Sequence, residues 1–212
     1  MFFIGKIMYS FKKIIFLGGI MITSGCSLFG IQTEEQPQYK VLKKESNKEI
    51  RLYDSYLVIQ TQTKGAYKDA QNKDFRILAG YIFGDNKTGE KISMTSPVRQ
   101  YQKGDNWEMT FMIPKKYDLK DLPEPNSDNI AFKVLKKKTY GVITFSGSDN
   151  EEKNKRYAEE LKNWILTKEK DYKIVSVPIY AGYNPPWTIP IFRKNEIMFE
   201  LNKKDEDILL NK

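Results

Sequence analysis

The sequence of 212 residues contains no histidine and a single cysteine. Zinc sites built on histidine or on several cysteines, Ser-His-Asp triads, Cys-His dyads and iron–sulfur clusters are therefore excluded. The remaining catalytic options are paired carboxylates, or a serine or threonine activated by lysine. No spacing of these residue types singles out such a pair, and the sequence has no glycine-rich phosphate-binding loop. We therefore expect that the protein is not an enzyme.

Long hydrophobic runs are also missing. The apolar run near the N-terminus covers only residues 14–22, whereas a membrane-spanning helix needs about 20 apolar residues. Two lysines precede this run and several small residues follow it, which is the pattern of a secretory signal peptide. An equally good signal begins at Met8, so Met1 and Met8 both remain candidate starts of the protein.

The excess of charge of one sign is modest. The formal net charge is +8, and three of the lysines lie in the first 25 residues. Such an excess suits anionic lipid headgroups or anionic ligands. Lysine and glutamate are interspersed along the rest of the chain, so no basic stripe forms and we expect no nucleic-acid partner.

The only cysteine, Cys26, stands directly after the signal. This segment resembles the lipobox of bacterial lipoproteins, although Thr23 occupies the position where leucine is usual and Ile22 lies one residue further back. The resemblance implies that residues 1–25 are a cleaved signal peptide and that the Cys26 thiol carries the lipid that holds the protein on a membrane. The alternative is a free cysteine at the end of an uncleaved anchor.

The segments that flank the folded part have their own compositions. Residues 26–38 carry Gly, Gln, Glu, Thr and Pro37 with little apolar content, and we interpret them as the lipidated cysteine and a tether. Ser27 is not the acidic residue associated with retention on the inner membrane, so the resemblance implies the periplasmic face of the outer membrane if the source has two membranes. Residues 203–212 are interpreted as a charged tail.

Residues 39–202 show the patterns of one folded domain, mainly an alternation of apolar and polar residues with a period of two. The predicted strands cover residues 39–43, 50–53, 56–63, 107–113, 130–135, 140–145, 173–180 and 196–201. Helical periodicity predicts helices over residues 67–83 and 149–167, the second opened by a Ser148-x-x-Glu151 capping box. Because strands and helices do not alternate regularly, the pattern favours an α+β fold with an antiparallel sheet. One helix in each half hints at a structural duplication.

Four segments of this domain, taken in order, resemble the SOUL heme-binding protein family. They are FRILAGYIFGDN at 75–86, KISMTSPV at 91–98, FMIP at 111–114 with LPEP at 122–125, and YNPPWTIPIFRKNEI at 183–197. The resemblance implies a distorted antiparallel β-barrel with two flanking helices, formed from two similar halves. It also implies that the first helix and a neighbouring loop wall an apolar groove, where some members bind tetrapyrroles.

The first helix offers a candidate wall for a planar apolar ligand, with a nearby cation for any carboxylate that the ligand carries. The candidate ligand contacts are Tyr67, Phe75, Arg76, Leu78, Ile82 and Arg193. The alternative is that this helix face simply packs on the barrel.

A heme bound by this chain has no histidine available, which leaves Tyr67, Tyr81 and Met94 as axial candidates. We expect apolar contacts with the porphyrin faces and a basic residue at the propionates to contribute most of the binding. The predicted function is therefore an envelope lipoprotein that binds heme, or another tetrapyrrole or planar apolar ligand, without histidine ligation. The alternative is a structural or protein-interaction lipoprotein that uses the same fold with no small-molecule ligand.

Overall fold

The computed structural model describes Gly30 and residues 32–204. The predicted signal peptide, the predicted lipidation site Cys26 and the tail from residue 205 onward lie outside the described residues, as do residues 27–29 and 31 of the predicted tether. In the part that is described, neither helix has the length and apolar character needed to cross a membrane.

Ten strands and two α-helices form the described domain. The strands are β1 (Tyr39–Glu45), β2 (Lys48–Tyr53), β3 (Tyr56–Lys64), β4 (Val98–Lys103), β5 (Asn106–Met112), β6 (Ala131–Leu135), β7 (Lys138–Ser146), β8 (Tyr172–Ile174), β9 (Ile179–Gly182) and β10 (Lys194–Lys203). The helices are α1 (Tyr67–Ile82), between β3 and β4, and α2 (Glu151–Lys168), between β7 and β8. Single turns of 3-10 helix cover Leu119–Asp121 and Pro190–Phe192.

All strand pairs are antiparallel, and the strands form one curled sheet in the order β1-β2-β7-β10-β9-β4-β5-β3-β6, with β8 also paired to β10. The predicted α+β class with an antiparallel sheet and two helices is confirmed. The sheet is a half-barrel, because its edge strands β1 and β6 do not pair with each other within the described residues.

The two halves of the sheet have matching connections. In the first half, β3 leads into α1 and then into the β4–β5 hairpin, and β5 pairs back onto β3. In the second half, β7 leads into α2, and β10 pairs with both β7 and β9. Strands β4 and β9 pair with each other and join the halves. This arrangement is the structural duplication that the two helices hinted at.

Helix α1 packs one face onto the first half of the sheet. Its buried residues recur at the three- and four-residue spacing of an amphipathic helix; they are Tyr67, Ala70, Asp74, Leu78, Ala79, Tyr81 and Ile82. The helix ends before Gly84, whose φ of 111° belongs to a region that side-chain-bearing residues avoid. The predicted end at residue 83 is therefore one residue too late.

Helix α2 begins differently from the prediction. Asn150 is its N-cap residue, and its side-chain oxygen accepts a hydrogen bond from the Lys153 backbone N–H at 3.0 Å. The predicted capping box of Ser148 and Glu151 is therefore wrong, because Glu151 is already the first residue of the helix. Asp149, just ahead of the cap, is left free to bond with other elements.

Two strand predictions were also wrong. Strand β4 was missed, because polar residues occupy both of its faces and leave no alternation to detect. The single strand predicted over residues 173–180 is two strands, β8 and β9, separated by residues 175–178. Pro178 lies in this break, where it has no N–H to donate to a strand ladder.

The apolar stripe of α2 packs on the second half of the sheet and has a structural role. Trp164 and Leu161 are 6% and 0% exposed, and they lie in one core cluster with Ile143, Ile197 and Phe199. We predict that Trp164→Ala destabilises the fold by about 3–5 kcal/mol, which lowers the unfolding midpoint by roughly 6–20 °C. Ligand affinity per folded molecule should not change.

Thermal unfolding followed by circular dichroism measures this effect. Leu166→Ala is the matched control, because Leu166 lies on the same helix and is 54% exposed, so its loss should cost within about 0.5 kcal/mol. A Trp164→Ala protein with an unchanged midpoint would show that the helix is not anchored by this side chain.

Asp74 is an unfavourable feature of α1. Its side chain is fully buried and neither carboxylate oxygen has a hydrogen-bond partner. Burial raises the pKa of Asp74, and the nearby Thr63 hydroxyl and Lys73 ammonium oppose this only in part. Since the folded-state pKa is raised, the ionised carboxylate destabilises the fold at neutral pH, and this cost disappears as the pH falls through the raised pKa.

We therefore predict that Asp74→Asn stabilises the protein at pH 7 by at least about 1 kcal/mol, and that this gain shrinks towards pH 4. Urea unfolding at the two pH values measures both quantities. The control is Asp69→Asn, because Asp69 lies exposed in the first turn of α1, where a negative charge is stabilising. Its replacement should be neutral or slightly destabilising, and an equal gain from both variants would contradict the prediction.

Candidate functional site

A cleft of about 390 Å³ lies between α1 and the first turn of α2, above the paired strands β4 and β9. We call it the seam cleft, since its floor is the seam between the two halves of the sheet. The loop that connects β9 to β10 contributes Asn184, Pro186 and Arg193 to its rim. Its volume lies within the usual range for small-molecule sites.

Aromatic side chains form the walls of the seam cleft. They are Tyr67 and Phe75 from α1, Phe145 from the end of β7 and Tyr180 from β9. The rings of Tyr67 and Tyr180 meet edge to face with centroids 5.8 Å apart. Phe75 is 40% exposed while it contacts the buried ring of Phe111 at 5.4 Å. A partly exposed phenylalanine at the mouth of an aromatic cleft offers a flat apolar surface to a ligand.

The Tyr67 hydroxyl is held in a polar network across the two halves. It donates to the Asp149 carboxylate at 2.9 Å, and the Gln71 amide donates to the same carboxylate at 2.8 Å. The Asn154 amide of α2 also donates to Asp149 at 2.7 Å. Burial, followed by the negative charge of Asp149, raises the pKa of Tyr67 well above its usual value. The phenol therefore keeps its proton at neutral pH.

Gln100 of β4 is the polar group of the cleft floor. It lies between Met109 of β5 and Tyr180 of β9, its direct partners in the sheet register. The side chain is 3% exposed, and neither its amide nitrogen nor its carbonyl oxygen has a hydrogen-bond partner in the described structure. Leaving a buried polar group unpaired costs about 1–3 kcal/mol. Gln100 therefore places an unpaired carboxamide, with one acceptor oxygen and two N–H donors, among the described residues that line the cleft, and both polar atoms are shielded from solvent.

Cationic side chains stand at the rim of the seam cleft. Arg76 is exposed and makes no ion pair or hydrogen bond within residues 32–204. Lys68 lies 3.8 Å from the Asp149 carboxylate. Arg193 lines the cleft, but its guanidinium Nε donates to the Thr188 carbonyl at 2.7 Å and its Nη2 donates to the Pro186 carbonyl. Arg193 thus fixes the loop, and Arg76 is the cation that remains available.

The six predicted contact residues do not all reach this cleft. Tyr67, Phe75, Arg76 and Arg193 line it together. Leu78 and Ile82 are 0% and 2% exposed and pack in the core beneath α1. These two residues therefore pack against the sheet, as in the alternative interpretation of this helix face. Phe75 and Arg76, on the exposed side of the same part of α1, line the cleft instead.

The axial candidates other than Tyr67 also lie outside the cleft lining. Tyr81 is fully buried and donates its hydroxyl hydrogen to the Pro123 carbonyl at 2.8 Å, and burial raises its pKa to about 12. Met94 packs against the same core cluster. In the described part of the chain, no group of three or more Asp, Glu, His or Cys residues is placed to hold a metal ion.

Glu196 also lines the seam cleft and has a structural role. Its buried carboxylate lies 3.1 Å from the Arg51 guanidinium and 3.2 Å from the Lys194 ammonium. It also accepts hydrogen bonds from Tyr183 at 2.6 Å and Thr144 at 3.1 Å. With all these partners, the carboxylate has no capacity left for a ligand.

Sequence reasoning missed the other contributors to the cleft, among them Gln100, Asp149 and Tyr180. Gln100 lies on the strand that was not predicted, and a lone glutamine in a polar segment carries no signal. Asp149 was taken as part of the second helix. Of these three residues, only Tyr180 had a sequence signal, because it is an aromatic residue within a predicted strand.

Comparison with known proteins fits this architecture. The family model described as SOUL heme-binding protein matches residues 34–200. Heme-binding protein 2 of Mus musculus is 27% identical over 193 residues, which cover 85% of this chain and 92% of that protein. The Homo sapiens protein of the same name is 29% identical over 159 residues, which cover 70% of this chain and 75% of that protein.

A solved structure shares the fold at much lower identity. The EcmrR C-terminal domain superposes with a TM-score of 0.56 at 14% identity, covering 78% of this chain and 98% of that domain. At that identity the similarity shows the fold alone. The match over residues 34–200, together with the confirmed fold, establishes the family. This chain belongs to the SOUL heme-binding protein family.

Proposed function

We propose that this protein is a lipid-anchored envelope protein whose seam cleft binds a tetrapyrrole, or another planar apolar ligand, without histidine ligation. Membership of a heme-binding family supports the ligand class. The observation on which the proposal rests is the buried, unpartnered carboxamide of Gln100 at the floor of an aromatic-walled cleft.

The walls suit a flat apolar body. Tyr67, Phe75 and Tyr180 present ring faces and edges within one cleft, and aromatic surfaces bind one another in stacked or edge-to-face arrangements worth about 0.5–1.5 kcal/mol beyond area burial. The exposed part of Phe75 would be covered by such a ligand. A planar ring system therefore gains contact area without any movement of the helix.

The rim suits the carboxylates that tetrapyrroles carry. Arg76 has its guanidinium donors available, and Lys68 lies about two turns earlier on the same helix. A guanidinium pairs with a carboxylate through two parallel hydrogen bonds. Arg76 would thus fix the orientation of a bound tetrapyrrole through a propionate, while Gln100 contacts the buried edge.

The residues of the cleft fit the ring and the carboxylates of a heme better than its iron. A heme, when bound, supplies a redox-active iron. Tyr67 donates its hydroxyl hydrogen to Asp149 and keeps its proton, so it does not offer the phenolate that iron ligation requires. The ligand is therefore held through its faces and its propionates.

We predict that hemin and protoporphyrin IX bind with affinities within about threefold of each other, because the iron contributes little. Gln100→Leu should weaken both by roughly two- to tenfold, since a net hydrogen bond is worth about 0.5–1.5 kcal/mol, without lowering thermal stability. Arg76→Gln should weaken both to a similar extent. The measurement is tryptophan-fluorescence quenching with the full chain, free of any histidine tag.

The matched control for Arg76→Gln is Lys73→Gln, because Lys73 is exposed on α1 but lies outside the cleft lining; it should bind like the unaltered protein. A strong preference for hemin with a six-coordinate low-spin spectrum would reveal an iron ligand from the protein. Absence of binding by either compound would favour the structural or protein-interaction lipoprotein.

The anchor is proposed from the sequence alone, on the signal-like residues 1–25 and the lone Cys26. We predict that Cys26→Ser releases the protein from the membrane fraction or leaves it as an unprocessed precursor, because the acylated thiol is lost. Fractionation and intact-mass measurement in a bacterial host test this, with Ser27→Ala as the control. An unchanged mass and an unchanged membrane fraction for Cys26→Ser would contradict the anchor.

A further inference from the structure

A second cavity, of about 660 Å³, lies on the other face of the sheet. Successive residues of a strand point to opposite faces. Val98 and Gln100 of β4 accordingly line the seam cleft, whereas Arg99 and Tyr101 line this second cavity. Residues of β6, the start of β7 and the segment before β9 complete its wall. We call it the Arg99 cavity.

Arg99 is a buried cation without a counter-ion among the described residues. Its side chain belongs to a residue that is 6% exposed. Its Nη1 donates to the Tyr56 hydroxyl, and its guanidinium carbon lies 5.1 Å from the Tyr140 ring centroid. No Asp or Glu of residues 32–204 lies within ion-pair distance of it. A guanidinium stays charged in proteins, and neither the Tyr56 hydroxyl nor the Tyr140 ring carries the negative charge that would neutralise it.

The rest of the cavity adds positive charge that is not neutralised. Lys133 and Lys136 line it and make no ion pair within the described chain. The only lining carboxylate, Glu200, is already paired with Lys138. A buried, unpaired charge is costly unless a partner of opposite sign is supplied. The missing partner is therefore an anion from outside the described chain.

Apolar side chains at the mouth of the cavity indicate that the ligand also has a hydrocarbon part. Val134 and Val177 line the cavity and are 53% and 47% exposed, and Ile179 lies further inside with 6% exposure. A bare inorganic anion would leave these surfaces uncovered. An anion with a short hydrocarbon part would cover them while it reaches Arg99.

We propose that the Arg99 cavity binds a small organic carboxylate, with its carboxylate on Arg99, its negative charge near Lys133 and Lys136, and its hydrocarbon part against Val134 and Val177. This site is separate from the seam cleft and takes a different class of ligand. Its occupation would neutralise the one buried guanidinium that has no carboxylate partner among the described residues.

The test is isothermal titration of the full chain with hexanoate, with 1-hexanol as the uncharged probe of the same length and inorganic phosphate as the bare anion. We expect hexanoate to bind at least about tenfold more tightly than either of the other two. Arg99→Met should weaken hexanoate binding at least about tenfold, because the charged hydrogen bonds are lost. It should leave hemin titration of the seam cleft unchanged.

Lys136 and Lys137 are adjacent in the sequence and provide a matched pair of variants. This comparison can be made even if Arg99→Met does not fold. Lys136→Gln should weaken hexanoate binding, whereas Lys137→Gln should not, because Lys137 pairs with Asp54 and lies outside the cavity lining. Equal binding by hexanol, equal binding by phosphate, or full binding by folded Arg99→Met would each overturn the proposal. So would equal effects of the Lys136 and Lys137 substitutions. Loss of hemin binding by folded Arg99→Met would show that the two cavities are not separate sites.

Discussion

The pairing of β4 with β9 is the interaction on which the rest of the structure depends. It joins the two halves of the sheet through four residue pairs, from Val98 with Gly182 to Tyr101 with Ile179. Because side chains alternate between faces along each strand, this short ladder forms the floor of the seam cleft and part of the wall of the Arg99 cavity. A shift of one residue would exchange Gln100 and Arg99 between the two faces, and each cavity would then border the side chain of the other.

The buried polar groups of the domain divide into two kinds. Glu196 has Arg51, Lys194, Tyr183 and Thr144 as partners, so its charge stabilises one arrangement of the surrounding strands. Among the described residues, the Gln100 carboxamide has no hydrogen-bond partner, and Arg99 has tyrosine contacts but no carboxylate. Burial without such partners costs free energy, and at both positions the side chain borders a cavity. We interpret the first kind as structural and the second as ligand-binding.

The two halves share connections but differ in how their helices are used. In the second half, α2 covers the sheet with Leu161, Trp164 and Ile165, and none of these side chains lines the seam cleft. In the first half, α1 presents Tyr67, Phe75 and Arg76 to the seam cleft while Leu78 and Ile82 hold it on the sheet. The hydrogen bond from Tyr67 to Asp149 links the start of α1 to the turn before α2. The duplicated fold thus provides one covering helix and one helix that also forms a wall.

The sequence by itself excluded the sites that need histidine or several cysteines, and it predicted most of the strands, both helices and the family. Alternation and helical periodicity are local properties, so they marked β3, β5, β7, β10, α1 and α2 to within a few residues. The absence of histidine also limited how any heme is held before the fold was known. Four of the six predicted contact residues line the cleft: Tyr67, Phe75 and Arg76 from the helix that the resemblance implied as a wall, and Arg193 from the segment 183–197.

Only the tertiary structure decided the rest. Strand β4 has polar residues on both faces, since each face borders a cavity, and this removed the alternation by which a strand is recognised. Whether Leu78 faces a ligand or the core depends on how α1 packs against the sheet. The helical periodicity of the sequence places Leu78 on the apolar face in both cases. The pairing of Gln100 with Tyr180 joins residues 80 positions apart. The lack of a carboxylate partner for Arg99 among the described residues depends on everything packed around it, which no local pattern in the sequence contains.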